Sequence, residues 1–579
     1  MNMDIAPVLP LPNLTAYDSS KLNFTWETEI SQLSGLPDSK GYNLAYECLD
    51  RHCTNGNGSQ VAIHWRGRKS TEKNLSYRAM MELTNQFAQV LTSLDIKEGD
   101  VVFSLLGRVP ELYITALGAL KTKAIFSPLF YVFGPEPIAQ WLIRGNGKIL
   151  VTTLDTFKRK VKSNLSRLKE LNYVLITDIE EDVDRQILSL PKRMKVALKS
   201  FSIPATSFED PALLHFTSGT TGMPKGALHT HRCMLVHSAT GRMVLDFKKG
   251  DQYWCTADPG WVTGTSYGIL SPLIHGVTVI VEEEDFDADR WLSLLESCSV
   301  NIWYTSPTAF RRLMRVTMDT QLEHQFKNLR LILSVGEPLH PDAVKWGQKT
   351  FGVPVLDNWW QTETGGIMIS NYRGMPVKPG SMGKPIPGIQ AAVAELKDKN
   401  LNLITEANKT GLLVLKKGWP SMFTTYWQER TRYEKCFHGD WYITGDLAQR
   451  DGDGYFWFIG RSDDMIKTSG HLVGPFEVER VLMQHDKVSE AAIIGKPEPI
   501  IGELIKGFVV LKPGAIPTEI LKNEILAFGR RHLGPTIAPR QIEFIQGLPK
   551  TRSGKILRRL LKARELGFPE GDLSTLENG

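Results

Sequence analysis

A segment rich in glycine, hydroxyl and lysine side chains lies near residue 220. It contains, in order, Thr217, Ser218, Gly219, Thr220, Thr221, Gly222, Met223, Pro224, Lys225 and Gly226. Glycines let the backbone approach a polyphosphate closely, while the hydroxyl groups and Lys225 supply hydrogen-bond donors and positive charge. The segment is not a P-loop, because Lys225 is followed by Gly226 and not by Ser or Thr. We therefore predict a phosphate-binding loop of another kind, since an ordinary solvated turn needs neither this density of hydroxyl groups nor a lysine.

Two tryptophans introduce a second group of polar residues. The segment reads Trp359, Trp360, Gln361, Thr362, Glu363, Thr364, Gly365 and Gly366. A carboxylate beside hydroxyl groups suits Mg²⁺, which prefers oxygen ligands and keeps several of its water molecules. With a phosphate-binding loop elsewhere in the chain, this pattern favours a site for metal and phosphate over the plain end of a strand.

Further segments carry patterns that are weak when each is taken alone. They are Gly336-Glu337-Pro338, Thr444-Gly445-Asp446, Gly460-Arg461-Ser462-Asp463-Asp464 and Pro549-Lys550-Thr551-Arg552-Ser553-Gly554-Lys555. An aspartate on a turn can accept hydrogen bonds from both hydroxyl groups of a ribose, yet Thr-Gly-Asp is also a common turn. A basic run near a carboxyl end is usually a solvated surface.

The order of these segments, from about Leu44 to Lys562, resembles the adenylate-forming superfamily and, within it, the compact prokaryotic type of AMP-forming acetyl-CoA synthetase. The resemblance implies that a carboxylate attacks ATP to give an acyl-adenylate and pyrophosphate, after which CoA attacks the adenylate and releases AMP. It implies catalytic roles for Lys225, Glu363 and Lys555, with Mg²⁺ at Glu363 and the ammonium of Lys555 countering charge on the α-phosphate. The ATP-binding residues that it implies are Thr217, Ser218, Gly219, Thr220, Thr221, Gly222, Gly336, Glu337, Pro338, Trp359, Trp360, Gln361, Thr362, Asp446 and Arg461.

The resemblance also implies which residues surround the acid. The segment from Trp254 to Gly264 closely resembles that of acetyl-CoA synthetases, and the implied pocket is lined by Val262, Thr263, Val335 and Trp360. Medium-chain relatives carry glycine in place of the tryptophan, whose large ring fills the volume that a longer acid would need. We therefore expect acetate as the substrate, with propionate tolerated. The preference is expected to be graded, because one methylene is worth only about 1–3 kcal/mol.

The residues expected to meet CoA lie in three parts of the chain. The implied CoA-binding residues are Ser469, Gly470, Arg530 and Lys158, and Asp463 is implied as the hinge of a small domain. One departure concerns the residue after His471, where the family usually has arginine and this chain has Leu472. A leucine cannot counter phosphate charge. Either a neighbour such as Lys467 takes that role, or formation of the adenylate is impaired.

Strand and helix patterns alternate through most of the chain. This alternation predicts an α/β fold of parallel, doubly wound sheets. The run Ala212–Phe216 is predicted to be a strand that leads into the phosphate-binding loop, and a helix is expected from about Arg232. The stretch from Asp178 to Lys199 has the composition of a charged surface insertion.

Two domains are expected from the shifts in composition. Residues 1–462 are predicted to form a large N-terminal adenylation domain, with an extended arm over residues 1–40. Short apolar runs punctuated by glycine and proline predict an antiparallel, barrel-like β subdomain at about 380–460. Residues 463–579 are predicted to form a small, mobile α+β domain that carries Lys555.

Composition excludes several classes of protein. The 579 residues are 42% hydrophobic and 23% charged, which is typical of a globular protein with more than one domain. The net charge of +5 is too small for a nucleic-acid binder, and no apolar run of about 18 residues predicts a membrane span. The six cysteines lack redox spacing, which favours a reducing, cytoplasmic location. His229, His231, Cys233 and His237 lie close together, but their spacing matches no standard metal site.

Two alternatives to an acetate–CoA ligase remain open. One is a propionyl-CoA or other short- or branched-chain acyl-CoA synthetase, and the other is an adenylate-binding protein with impaired catalysis, because of Leu472. Exchange of pyrophosphate into ATP separates the last from an enzyme. The expected partners are a short-chain carboxylate, ATP and CoA, with a monomer or small homo-oligomer as the assembly. Acetylation of Lys555, which the resemblance implies, removes the charge of that lysine.

Overall fold

The computed structural model describes most of the chain. The described residues are 10–68, 71–131, 133–217, 224–317, 326–398, 400–468, 471–499, 501–535, 537–551, 555–570, 573 and 576, with the backbone alone at 317, 471 and 472. The predicted site residues outside these ranges are Ser218, Gly219, Thr220, Thr221, Gly222, Ser469 and Gly470. Within these ranges, no helix is both long enough and apolar enough to cross a membrane.

Strands form the scaffold of the described chain. They are β1 (Val61–Arg66), β2 (Glu72–Ser76), β3 (Val101–Leu105), β4 (Ile125–Pro128), β5 (Gly147–Thr152), β6 (Tyr173–Ile176), β7 (Ile187–Ser189), β8 (Pro211–Thr217), β9 (Lys225–Thr230), β10 (Gln252–Cys255), β11 (Thr278–Glu282), β12 (Ile302–Thr305), β13 (Leu331–Ser334), β14 (Val355–Trp359), β15 (Ile369–Ser370), β16 (Lys384–Pro385), β17 (Ala391–Lys397), β18 (Asn400–Ile404), β19 (Gly411–Lys416), β20 (Thr425–Tyr426), β21 (Phe437–His438), β22 (Trp441–Arg450), β23 (Phe456–Arg461), β24 (Ile466–Thr468), β25 (His471–Val473), β26 (Val488–Glu498), β27 (Gly502–Leu511) and β28 (Gln541–Phe544). Every residue of β3, β11 and β13 is buried, as expected of parallel strands covered by helices on both faces.

Helices follow most of the parallel strands. They are α1 (Tyr17–Asn23), α2 (Trp26–Ile30), α3 (Arg51–Thr54), α4 (Tyr77–Ser93), α5 (Pro110–Lys121), α6 (Pro135–Arg144), α7 (Leu154–Thr156), α8 (Leu190–Val196), α9 (Met234–Met243), α10 (Val262–Thr265), α11 (Ser271–Ile274), α12 (Ala288–Ser297), α13 (Pro307–Thr317), α14 (Pro341–Phe351), α15 (Arg430–Glu434), α16 (Pro475–Leu482), α17 (Glu519–Leu533) and α18 (Arg558–Leu566). Shorter 3₁₀ and π segments cover Pro37–Ser39, Tyr46–Asp50, Phe157–Val161, Lys162–Arg167, His231–Cys233 and Ser266–Leu270. Local signals fix several helix ends: α14 has proline at its first position and stops at Gly352, whose φ of 69° is left-handed.

Two largely parallel sheets confirm the predicted α/β fold. In the first, the order is β16-β15-β14-β13-β12-β10-β11-β1-β2; the pairs from β14 to β1 are parallel, whereas β15 with β14 and β2 with β1 are antiparallel. In the second, the order is β20-β9-β8-β4-β3-β5-β6-β7, and antiparallel pairing is confined to β20, β9 and β8. The hydrophobic core of the region around α4 and α5 includes Phe87, Leu91 and Leu117, all fully buried. Burial of each such side chain stabilises the fold by about 1.5–3 kcal/mol.

The chain divides into two compact units. The first consists of Met1–Pro379, Pro385–Ile389 and Gly418–Lys435, and the second of Gly380–Lys384, Gln390–Lys417 and Cys436–Gly579. The second unit holds an antiparallel sheet, β18-β17-β19-β22-β21 with β23 beside β22, as expected for the β subdomain. It also holds the sheet β25-β24-β27-β26, with β28 parallel to β27. The domain boundary at residue 462 stays a prediction.

The chain after the phosphate-loop segment differs from the prediction. Helix α9 begins at Met234, close to the expected position, but the strand β9 precedes it. This strand pairs antiparallel with β8, so that Thr217 lies opposite Lys225 across the hairpin. Its six residues carry no strong strand pattern, and they are held in place by pairing with β8 on one side and β20 on the other.

Two other segments also depart from prediction. Residues 178–199 are not a simple surface insertion, because β7 extends the second sheet and α8 follows it. The hydroxyl of Ser189 accepts a hydrogen bond from the backbone N–H of Lys192 (3.1 Å) and so caps α8. The segment predicted as an extended arm contains α1 and α2. It is tied down by Tyr17, whose hydroxyl donates to the backbone oxygen of Pro385 (2.7 Å).

Candidate active site

The carboxyl ends of β10, β12, β13 and β14 meet at one edge of the first sheet. The register pairs Ser334 of β13 with Asp357 of β14. The segments that follow these strands, at 256–267, 335–338 and 360–366, therefore begin side by side. They contain the residues predicted to contact adenine, the acid and the metal. In open parallel sheets, ligands bind at this edge.

The turn that carries Glu363 is held by hydrogen bonds to its backbone oxygens. The backbone N–H of Phe423 donates to the oxygen of Glu363 (3.0 Å). The oxygen of Thr364 accepts both from the indole N–H of Trp419 (3.0 Å) and from the hydroxyl of Ser421 (2.6 Å). Because three donors come from one short segment, the direction of the Glu363 side chain is coupled to the position of residues 419–423.

Two buried histidines contact this turn and the segment that holds it. The Nε2 atom of His237 lies 2.9 Å from the backbone oxygen of Gly365, and the Nδ1 atom of His229 lies 3.0 Å from that of Ser421. A backbone oxygen can only accept, so each of these nitrogens carries the proton. Burial lowers the pKa of both imidazoles to about 4, and it holds the pKa of the neighbouring His215 well below its usual value. The three histidines are therefore neutral at physiological pH.

Tyr426 links the Glu363 turn to the phosphate-loop hairpin. Its hydroxyl donates a hydrogen bond to a carboxylate oxygen of Glu363 (2.7 Å). The ammonium of Lys225 lies 5.3 Å from the centre of the Tyr426 ring, which is within range of a cation–π interaction. Tyr426 is also the register partner of Ala227 in β9. The predicted catalytic residues Lys225 and Glu363 thus converge on one aromatic side chain.

The predicted acyl-pocket residues lie after β10, β13 and β14. Thr263 and Val335 are buried, whereas Val262 and Trp360 are partly exposed. The indole of Trp360 packs edge-on against the ring of Tyr267, with the ring centres 5.2 Å apart and the planes at 79°. A large aromatic side chain is therefore held at the position where the sequence predicts the wall of the pocket.

The segment predicted to meet adenine follows β13. Gly336 has a left-handed φ of 94°, a conformation that glycine adopts without strain. The carboxylate of Glu337 accepts from Arg311 (2.7 Å) and from the hydroxyl of Thr308 (2.7 Å). These contacts fix the backbone turn that leads into Pro338. The structure places the segment beside the end of β14, and its contact with adenine stays a prediction.

The predicted ribose-binding pair lies in the second unit. Asp446 of β22 and Arg461 of β23 are register partners, and their side chains form an ion pair (3.0 Å). Arg461 also contacts the carboxylate of Asp463, the predicted hinge residue (3.2 Å). Asp446 is buried while Arg461 and Asp463 are more accessible. The two predicted ribose ligands are therefore adjacent.

Lys555 belongs to the same unit. Its backbone N–H donates to the hydroxyl of Thr551 (3.1 Å), which anchors the start of the described segment after the catalytic motif. Although the residue is exposed, the loss of hydration around its ammonium group is the main reason why its pKa lies below the usual lysine value. The guanidinium of Arg461 lowers the pKa further, and the carboxylates of Asp446 and Asp464 act in the opposite direction. The electrostatic surroundings of Lys555 thus include the predicted ribose pair.

Of the residues predicted to bind CoA, the structure describes Lys158 and Arg530. Lys158 is exposed in the first unit and Arg530 is exposed on α17 in the second. The backbone of Leu472 pairs with that of Lys467 across β24 and β25. Lys467 is exposed, and whether it supplies the charge of the missing arginine stays a prediction.

Three side chains that support the candidate site were not singled out from the sequence. Tyr426 and Tyr267 contact residues 363 and 367 from distant parts of the chain, so no local pattern could identify them. The third is Asp357, which is buried two residues before the tryptophan motif. Burial raises its pKa to about 8, and the backbone N–H of Leu339 donates to its carboxyl group (3.2 Å). An acidic residue inside an apolar strand, close to a polar motif, is a signal that could have been recognised in the sequence.

Comparison with known proteins agrees with this geometry. Residues 49–427 match the AMP-binding enzyme family, and residues 477–555 match the AMP-binding enzyme C-terminal domain. The chain is 42% identical to an acetyl-coenzyme A synthetase of Bacillus subtilis (strain 168), over 100% of both chains. Its structure is similar to a Brucella canis acyl-CoA synthetase (TM-score 0.74, 33% identity, 96% of this chain and 99% of that one). It is also similar to an anthranilate CoA ligase in complex with anthranoyl-AMP (TM-score 0.82, 27% identity, 91% of this chain and 98% of that one). This chain belongs to the family of AMP-binding enzymes that includes these acyl-CoA synthetases.

Proposed function

We propose that this chain is an AMP-forming acetate–CoA ligase. It converts ATP, acetate and CoA into AMP, pyrophosphate and acetyl-CoA through an acetyl-adenylate, and it accepts propionate less well. The observation that carries this proposal is the indole of Trp360, held against Tyr267 at the end of β14 and three residues before Glu363. The similarity to an acetyl-coenzyme A synthetase along the whole chain supports the same acid.

In the proposed first half-reaction, the carboxylate of acetate attacks the α-phosphate and pyrophosphate leaves. Lys225 and the loop before it hold the phosphates, and Glu363 would hold Mg²⁺, which would counter their charge. The residues present fit this ion, because the partly exposed carboxylate of Glu363 and the neighbouring hydroxyl of Thr362 are hard oxygen ligands of the kind that Mg²⁺ prefers. Among the described residues, no group of three or more His, Cys, Asp or Glu side chains lies close enough together to hold a metal ion.

The second unit supplies the ribose ligands and the catalytic lysine. We assign the ribose hydroxyl groups to Asp446 and Arg461, whose ion pair is already formed. The α-phosphate is attached to that ribose, so an ammonium whose surroundings include this pair can counter the charge that builds on it. Acetylation of Lys555 removes this charge and is expected to stop adenylate formation.

The proposal is tested by exchange of labelled pyrophosphate into ATP. The expected result is exchange that requires both acetate and Mg²⁺, because only a formed acetyl-adenylate can return label to ATP. A protein that binds ATP but gives no exchange with any acid would be an adenylate-binding protein and would refute the proposal.

The same assay tests the role given to Lys467. Lys467→Ala is expected to slow exchange, because it removes a positive charge opposite position 472. Lys487→Ala removes an exposed lysine from the same unit and serves as the control. Equal rates for the two variants would mean that Lys467 does not replace the missing arginine.

A further inference from the structure

Tyr267 occupies a buried position directly behind the proposed acyl pocket. Its hydroxyl accepts a hydrogen bond from the backbone N–H of Ile367 (2.8 Å). The hydroxyl of Thr240 donates to the backbone oxygen of Val236 (2.6 Å), so the 2.9 Å contact between Thr240 and Tyr267 has Tyr267 as its donor. Both hydrogen-bonding directions of the Tyr267 hydroxyl are therefore defined, and its ring has no freedom to turn away.

The ring of Tyr267 is the centre of an aromatic group. It meets Trp360 edge-on (5.2 Å, 79°), Tyr304 edge-on (5.8 Å, 89°) and His237 (5.8 Å, 71°). Tyr304 is itself fixed, because its hydroxyl donates to the side-chain oxygen of Asn358 (2.9 Å). Edge-to-face contacts of this kind have a preferred geometry, so a fixed Tyr267 ring defines where the indole of Trp360 rests.

From this arrangement we infer that Tyr267 is a positioning residue that sets the length of the acid the enzyme accepts. It acts through Trp360: the indole closes the acyl pocket, and Tyr267 keeps the indole from retreating. The inference rests on the proposed function, in which Trp360 is the end wall for acetate. It predicts that acid selectivity changes when Tyr267 is altered and Trp360 is left in place.

The test compares acids within each variant. The measured quantity is the ratio of kcat/KM for butyrate to kcat/KM for acetate, in which a general loss of active protein cancels. Tyr267→Leu removes the ring and opens space behind the indole, and the ratio is expected to rise at least ~10-fold, the lower range of discrimination by a methylene. Tyr267→Phe keeps the ring and is expected to leave the ratio within about twofold of the wild-type value.

Tyr77→Leu is the matched control. Tyr77 is also fully buried and also donates its hydroxyl to a backbone oxygen, that of Val277 (2.9 Å), but its ring partner is His52. Tyr77→Leu is expected to lower kcat/KM by the same factor for every acid and so to leave the ratio unchanged. Tyr267→Met, with a flexible side chain that refills much of the volume, gives the same direction of change if Tyr267→Leu does not fold.

A second readout needs no turnover. The ethyl and butyl esters of AMP are titrated into each variant by calorimetry, and the relative affinity for the butyl ester is expected to rise in Tyr267→Leu. An unchanged ratio in both measurements, with folded protein, would overturn the role of Tyr267. A wild-type protein that prefers long acids would instead refute the proposed function. The two failures are therefore distinguishable.

Discussion

Removal of one hydroxyl group, by Tyr426→Phe, tests how the carboxylate of Glu363 is positioned. Tyr426 is 3% exposed, and its hydroxyl donates to Glu363 over 2.7 Å. The phenyl ring can keep the contact with Phe423 (5.0 Å between ring centres) and the cation–π contact with Lys225. The substitution therefore removes the hydrogen bond and leaves the surrounding packing in place.

The expected cost follows from the environment of the two groups. A hydrogen bond to a charged group contributes about 1.5–3 kcal/mol when water cannot replace it. Because Glu363 is partly accessible, water replaces part of the lost hydrogen bond, and the expected loss of stabilisation is about 1–2 kcal/mol. At 1.36 kcal/mol for each factor of ten, adenylate formation slows about 5- to 30-fold.

The assay is acetate-dependent exchange of pyrophosphate into ATP, measured over a range of Mg²⁺ concentrations. Tyr426→Phe is expected to need more Mg²⁺ for half-maximal exchange, while its thermal unfolding stays close to that of the wild type. Tyr433→Phe is the control, because the Tyr433 ring also packs on Phe423 (4.9 Å) from α15. Exchange by Tyr426→Phe within twofold of the wild type at every Mg²⁺ concentration would show that the Tyr426 hydroxyl does not position Glu363.

Other predictions address the lysine, the pocket wall and the buried histidines. Lys555→Ala is expected to abolish adenylate formation but to preserve thioester formation from supplied acetyl-adenylate; loss of both would contradict the assigned role. Trp360→Gly is expected to move the preference to longer acids, and an unchanged profile of acids would refute the pocket assignment. Burial lowers the pKa of His229 and of His237 to about 4, whereas the pKa of histidine in the unfolded chain is 6.5. Between about pH 4 and pH 6.5 the unfolded chain therefore binds more protons than the folded chain. The free energy of unfolding therefore keeps its full value above about pH 6.5 and falls as the pH drops toward 4, by about 3 kcal/mol for each histidine. Urea unfolding at several pH values measures this change. His237→Gln is expected to reduce this pH dependence, and a stability that is flat over that range would contradict it.

The placement of short, contiguous motifs in the candidate site could be predicted from the sequence. The segments at Trp359–Gly366 and Gly336–Pro338 each follow a strand, and parallel pairing brings those strand ends together. The adjacency of Asp446 and Arg461 likewise follows from one hairpin. In each case the information lies within a few residues of a recognisable element, so local pattern and topology are sufficient.

Residues that act through long-range contacts could not be predicted in this way. Tyr426 lies 63 positions from Glu363, and His237 lies 128 positions from Gly365. Their roles depend on hydrogen bonds that form only after the sheets are assembled. The strand β9 was missed for the same reason, because it is stabilised by its neighbours and not by its own sequence.

Release of AMP shows whether this chain activates a short acid. The protein is incubated with ATP, Mg²⁺ and CoA together with acetate, propionate, butyrate or hexanoate. We expect turnover that is greatest with acetate, lower with propionate and nearly absent with hexanoate. Turnover that is greatest with butyrate or hexanoate would contradict the pocket wall at Trp360, and no AMP with any acid would contradict the proposed reaction itself.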